Sequence, residues 1–247
     1  MLSALRDADI IACEDTRTTK VLLDRYGVSA ERVRYDAHAE RRVAPRLVER
    51  MRAGAVVALV SDAGMPLVSD PGLVLVQACM AAGLEVEVLP GPSAALAALV
   101  ASALPSDAWR FVGFLPRKRS ELVSVLGSPE TVVAFESPRR VAASLAVLAE
   151  LDGSRPVAVC RELTKVHEEV VRGTASELAA RYSDAPPRGE VVLVIGGAPA
   201  PTGVDPGAVD AVRQLIDAGA RARVAARVVS DLTGTPANAL YREAAGS

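Results

Sequence analysis

The sequence predicts an α/β fold in two lobes, followed by a small C-terminal helical domain. Short β-branched runs alternate with longer amphipathic ones through the first 195 residues, the pattern of α/β proteins. The pattern resets near residues 104–107 (LPSD), and a Gly/Pro/Ala linker over 196–206 precedes purely helical periodicity. The expected division is 1–105 and 106–198 for the two lobes and 199–247 for the linker and helical domain. With half of 247 residues hydrophobic and 23% charged, the chain can fill a large core, which excludes disordered and fibrous classes.

The elements follow in order. Residues 2–7 read as helix, running into a strand over 9–13 (DIIAC) and a helix over 16–26 that Gly27 stops. A helix over 40–53 ends at Gly54, and the continuous apolar run 55–60 (AVVALV) reads as a strand buried on both faces. A helix over 71–82 follows, with Asp70 as its N-cap and Pro71 at the first helical position. Residues 85–89 read as strand and 93–102 as helix. In the second lobe, strands are expected over 109–114, 131–135, 157–160, 170–172 and 191–195. Helices over 118–126, 141–151 and 175–182 lie among them, and 207–218, 222–232 and 236–244 form the tail.

Composition narrows the function classes. A net charge of −2 argues against indiscriminate coating of nucleic acid, and 3% aromatic residues argue against rows of stacked bases. Cys13, Cys79 and Cys160 are far apart with no CxxC pair, as expected of small core residues in a reducing cytoplasm. His38 and His167 are the only histidines, so a His-rich metal site cannot be built, and no metal is expected. Apolar runs are broken well before membrane-spanning length, and the start MLSALRDAD is no signal peptide.

The densest chemical signal is Ser61-Asp62-Ala63-Gly64-Met65-Pro66, directly after a strand, where open α/β sheets place ligands. Asp62 can accept hydrogen bonds from ribose hydroxyls, and Gly64 permits a close backbone approach. Pro90-Gly91-Pro92-Ser93-Ala94 faces the same sheet edge, with Ser93 opening a helix. No GxGxxG or P-loop is present, so dinucleotide and phosphate-loop readings lack their cradle. Glu14-Asp15-Thr16-Arg17 ends the first strand and serves equally as a cap with a surface Arg. Phe135-Glu136-Ser137-Pro138-Arg139-Arg140 and Arg161-Glu162-Leu163-Thr164-Lys165 end two strands of the second lobe. They suit either a solvated ion network or contacts to phosphate. The basic turn Arg117-Lys118-Arg119 has the same two readings, and His38 is a surface or cleft residue.

Taken in register, these segments resemble the ribosomal RNA small subunit methyltransferase I family. The matching stretches are ADIIACEDTRTTKVLL, VALVSDAGMPLVSDPG, VLPGPSAALAAL, ALPSD, GFLPRK, FESPRR, CRELTKVHEEV and GEVVLVIGG, with LTGTPANALYREA in the tail. The resemblance implies a tetrapyrrole-methylase fold and transfer of a methyl group from S-adenosylmethionine to a cytidine 2′-hydroxyl of 16S rRNA. It implies a cytoplasmic homodimer with its cofactor in the cleft between the lobes. Asp62, Ala63, Gly64, Met65, Pro66, Pro90, Ser93 and Ala94 would line that cleft from the first lobe, with Phe135 and Glu136 from the second. Arg17, His38, Arg117, Arg139, Arg161 and Lys165 would face RNA, and Glu14, Asp15, Glu136 and Lys165 are the catalytic candidates.

Three departures from the family pattern stand out. The family's first strand and its Pro-Ile-Gly-Asn-Leu-type loop have no counterpart, so a late-assigned start or a shortened chain is expected. Asp36-Ala37-His38-Ala39-Glu40 replaces a His-x-His-Asn-Glu stretch, and Arg140 stands where the family often has His. Two rival readings remain: a methyltransferase of the same fold acting on a tetrapyrrole or other small molecule, and a non-catalytic RNA-binding module.

Overall fold

Residues 1–199 and 205–245 are described by the computed structural model, so part of the expected linker, residues 200–204, lies outside them. The chain divides into two compact units, Met1–Gly197 and Ala198–Ser247.

The larger unit opens with α1 (Leu2–Asp7), β1 (Ile10–Cys13), α2 (Thr16–Arg25), β2 (Glu31–Arg34), α3 (Glu40–Arg52), β3 (Val57–Val60), α4 (Leu73–Ala81) and α5 (Ala94–Ser102). Its three strands form a parallel sheet in the order β2-β1-β3, with Ile10 opposite both Glu31 and Val57. The all-apolar β1 is central and wholly buried, as a parallel strand covered on both faces should be. Ile10 and Ala12 face α3 and α4 through Leu47, Leu75 and Cys79, while Ile11 and Cys13 face Leu5 and Leu23.

Three expectations need correction here. Residues 55–60 were expected to be buried on both faces, yet β3 is only half-buried and pairs with β1 alone among the described residues. Residues 85–89 belong to no sheet: the apolar alternation is present, but no neighbouring strand takes up its backbone groups. The helix expected from residue 71 starts at Leu73 after Gly72, with no side-chain cap, so Asp70 is not its N-cap.

The second part of this unit holds β4 (Trp109–Phe114), α6 (Arg119–Leu126), β5 (Thr131–Glu136), α7 (Val141–Asp152), β6 (Pro156–Arg161), β7 (Glu169–Thr174), α8 (Ala175–Asp184) and β8 (Val191–Ile195). The sheet order is β4-β5-β8-β6-β7; β4 and β5 are parallel, and the remaining pairs are antiparallel. One face packs on α6, α7 and α8 through Leu122, Leu145 and Leu178. The other packs on α5, through Ala95, Ala98 and Leu99 against Val133, Ala158 and Val194. The helix assigned by sequence to the first lobe therefore lies on the second sheet. Arg172 of β7 donates to the carbonyls of Ala101 and Ser102, satisfying the exposed C-terminal end of α5. The smaller unit is three helices, α9 (Pro206–Asp217), α10 (Ala222–Thr233) and α11 (Ala237–Ala244), around Val212, Val229 and Leu240.

Candidate active site

The chemistry-bearing residues gather on loops that leave the C-terminal ends of strands. After β1, Asp15 caps α2 by accepting from Arg17 N at 2.8 Å and also pairs with the Arg17 guanidinium. These bonds hold its carboxyl well below the usual carboxylate range. Glu14, one residue earlier, is half-buried, and its Oε1 accepts a long bond from Asp62 N at 3.4 Å. This contact joins the loop after β1 to the loop after β3.

The loop after β3 is folded on itself: Ser61 Oγ donates to the carbonyl of Gly64 at 3.2 Å. Leu67 and Ser69 both adopt positive φ, at 70° and 69°, a conformation that costs side-chain-bearing residues energy. A β-carbon built on Gly91 would stand 3.0 Å from Met65 Sδ, so this loop and the Pro90–Ser93 segment meet as closely as glycine permits. Ser93 then caps α5, its Oγ accepting from Leu96 N. Further along, a β-carbon on Gly113 at the end of β4 would stand 3.3 Å from Ser69 Oγ. The end of β4 thus lies against the same loop.

Asp70 is the residue that sequence reasoning missed. Its carboxyl is pushed up to about 6, first by burial and then by the charges of Glu14, Asp62 and Glu190, against a bond from Ser61. The groups raising it come from both parts of the unit, so no single local motif marked it. The excess of acidic residues in the Asp62–Asp70 loop was the available signal.

On the second sheet, Glu136 ends β5 with its side chain fully buried. Ser137 N donates to Oε1 at 2.7 Å and Ser144 Oγ to Oε2 at 2.6 Å, while Arg140 Nη1 lies 3.2 Å from Oε1. The expectations of Glu136 as a proton acceptor and as a cofactor-lining residue meet a carboxylate whose two oxygens are already committed and shielded from solvent, so it presents no group to a ligand. Removing Arg140 would leave a buried charge uncompensated, a loss of about 3–5 kcal/mol. Phe135 packs edge-on between Phe111 and Phe114.

The segment after β6 is equally constrained. Glu162 and Thr164 take positive φ, at 50° and 67°. Lys165 Nζ donates to Glu162 Oε1 and Glu190 Oε2, each at 2.9 Å, which raises its pKa and keeps it charged at neutral pH. Lys165 is therefore a fixed cation rather than a base. Arg161 Nε donates to Glu169 at 2.7 Å. Arg161, Glu162, His167, Arg188 and Gly189 line an open recess of about 270 Å³. His167, expected to face solvent, lines this recess; Arg188 was not singled out by sequence, because it sits on a separate loop between α8 and β8.

The remaining candidates are dispersed. Ala63, Gly64, Pro90 and Ala94 are exposed and Pro66 is half-buried along the two touching loops. His38 is exposed, and its backbone N–H donates to Asp36. Arg117 and Arg139 are exposed with no carboxylate within ion-pair distance among the described residues. Arg17 is tied to Asp15 and points to solvent.

The tetrapyrrole (corrin/porphyrin) methylase family matches residues 1–179. A ribosomal RNA small subunit methyltransferase I from Mesorhizobium japonicum is 45% identical over 98% of this chain and 84% of its own length. The chain belongs to the ribosomal RNA small subunit methyltransferase I family. Another member, from Micromonospora olivasterospora, is 40% identical over 98% of this chain and 80% of its own. Among solved structures, a uroporphyrin-III-C-methyltransferase from Thermus thermophilus shares the family's fold at TM-score 0.58. It is 23% identical, with 79% of this chain and 85% of that one covered. A diphthine synthase superposes at TM-score 0.57 and 16% identity, covering 79% and 82%. In this family member, the two loops that meet at Met65 and Gly91 present an exposed carboxylate, exposed backbone at Ala63, Gly64 and Gly91, and a thioether. That donor set suits a nucleoside bearing ribose hydroxyls, a cationic amino group and an aromatic base.

Proposed function

We propose that this chain is an S-adenosylmethionine-dependent methyltransferase acting on the ribose 2′-hydroxyl of a cytidine in small-subunit ribosomal RNA. The observation that carries this reading is the 45% identity over 98% of the chain to a relative of that name. No described helix is long and apolar enough to cross a membrane. The reading entails a cytoplasmic homodimer.

Asp62, Ala63, Gly64, Met65 and Pro66 would hold the cofactor from one side, with Pro90, Ser93 and Ala94 from the other and Phe135 closing the apolar end. S-adenosylmethionine supplies, when bound, a methyl carbon made electrophilic by sulfonium. The chain's own task is to bring a ribose hydroxyl in line with that carbon and to accept its proton, and orientation can supply about 7–11 kcal/mol in favourable cases. Glu14, Asp62 and Asp70 offer carboxylates for the proton, and Asp70, held near 6, is half-charged just below neutrality. Asp15 is the weaker candidate, because Arg17 and the α2 cap consume its lone pairs. Lys165 and Arg161 provide fixed positive charge for phosphate, aided by Arg188 in the adjoining recess.

The test is transfer of tritiated methyl from S-adenosylmethionine to purified small ribosomal subunits, run beside porphyrin precursors. Label in RNA, lost in Asp62→Ala and in a Lys165→Glu variant that still binds cofactor by calorimetry, is the expected result. Label in the porphyrin arm alone would transfer the chain to the small-molecule branch of the fold.

A further inference from the structure

We propose that Arg140 is a positioning residue that sets the basic turn between β4 and α6 for RNA, and that buried Glu136 holds Arg140 in place. The proposal rests on the RNA-methyltransferase reading given above.

Arg140 stands at the start of α7, and its guanidinium reaches across to another loop. Nη1 donates to the carbonyl of Leu115 at 3.1 Å and Nη2 to that of Pro116 at 2.8 Å. The same Nη1 is 3.2 Å from Glu136, whose side chain is 0% exposed against 29% for Arg140. One planar cation therefore spans a buried carboxylate and two adjacent backbone carbonyls. A lysine could not do this, because its single nitrogen lacks the guanidinium's spread of donors.

Those two carbonyls are the last anchors before the turn leaves the sheet. Leu115 N still donates to Phe135 O at 3.1 Å, extending the β4–β5 pairing by one residue. Pro116 has no N–H to continue it. Beyond it, Arg119 pairs with Glu150 and Lys118 approaches Glu121 at 3.4 Å, whereas Arg117 has no carboxylate partner among the described residues. The direction of Arg117 is thus fixed from behind by Arg140. The strand feeding this turn lies against Ser69, in the loop that also bears Asp62 and Asp70, so the turn borders the candidate active site. Glu136 acts through Arg140 and not on the reacting atoms.

The experiment compares the unaltered protein with Arg140→Lys, the double variant Glu136→Gln/Arg140→Gln, Arg117→Ala, and the double variant combined with Arg117→Ala. The double variant removes cation and anion together, so no buried charge is left unpaired and folding is retained. Two readouts are taken: filter binding of purified small ribosomal subunits across a salt series, and the rate of tryptic cleavage at Arg117–Arg119. Cofactor affinity is measured by calorimetry alongside. The double variant should bind subunits about tenfold more weakly, the factor expected for one lost charge-assisted contact. Its log–log salt slope should be shallower by about one. In the Arg117→Ala background the same two changes should add almost nothing, cofactor affinity should stay within twofold, and tryptic cleavage should quicken with or without Arg117 through its neighbours. Arg140→Lys should restore little of the binding. Equal losses in both backgrounds, full rescue by Lys, or unchanged cleavage would each overturn the proposal. If the parent itself does not bind subunits, the RNA reading falls, while the cleavage rates still decide whether Arg140 clamps the turn.

Discussion

Asp70 holds its proton more tightly in the folded chain than an ordinary aspartate does, because Glu14, Asp62 and Glu190 face it and burial strips its solvent. Between about pH 4 and pH 6 the folded state therefore binds more protons than the unfolded one, and stability declines as pH rises through that window. Asp70→Asn removes the effect. Its melting temperature should exceed the parent's at pH 7.5, and the two should converge at pH 4. Equal separation at both values would mean that the shifted carboxyl is not the cause. Tyr182 presents a related case: its ring is buried, and its hydroxyl has no hydrogen-bond partner among the described residues. Tyr182→Phe should raise stability in urea by about 1 kcal/mol, since it deletes an unpaired polar group and leaves the packing intact.

At the level of elements, what the sequence revealed depended on whether the information was local. β1 and β8 were legible because IIAC and VVLVI are uniformly apolar and are buried along their whole length. Helix α8 was read over 175–182 without its cap, which the structure supplies: Thr174 accepts from Glu177 N while Glu177 accepts from Thr174 N. Thr174→Ala should lower stability by about 1 kcal/mol in thermal melts, with Thr174→Ser recovering most of it. β2 went unread because Glu31-Arg32-Val33-Arg34 has only one apolar residue, as an edge strand guarded by charge can. The start of α4 was misplaced because Asp-Pro imitates a cap, and only the surrounding carboxylates reveal that Asp70 faces elsewhere. The candidate site divides the same way. Asp62 and Met65 lie on one contiguous loop and were visible, whereas Asp70's neighbours, the Arg140 bridge and the Arg188 recess join segments far apart in sequence.

Across the whole molecule, two sheets of unlike construction share the larger unit. The five-stranded sheet is sealed on both faces, by α5 on one side and α6, α7 and α8 on the other. The three-stranded parallel sheet also has helices on both faces, but its edge strand β3 is only half-buried. β3 offers one edge unpaired among the described residues, and α4, packed against it, carries Leu73 and Met80 at the surface, 56% and 70% exposed. Parallel sheets normally survive by being buried, so this part of the unit should open before the other. Hydrogen exchange should be quickest there, in Val57–Val60 and residues 84–89, and slowest in β5, β6 and β8.

The free margin of β3 also sets how the protein behaves in a tube. Val57-Ala58-Leu59-Val60 is short and uncharged, and residues 85–89 carry Val86, Val88 and Leu89 at the surface beside only two carboxylates. Such margins recruit copies of themselves, and a net charge of −2 gives little mutual repulsion to prevent it. Concentrated stocks should grow turbid with time, faster as the solution is acidified toward neutrality of charge. A lysine at the 69%-exposed Val88 should act as a gatekeeper. Val88→Lys is expected to suppress light scattering on storage while leaving the melting temperature unchanged, and undiminished scattering would place the sticky surface elsewhere.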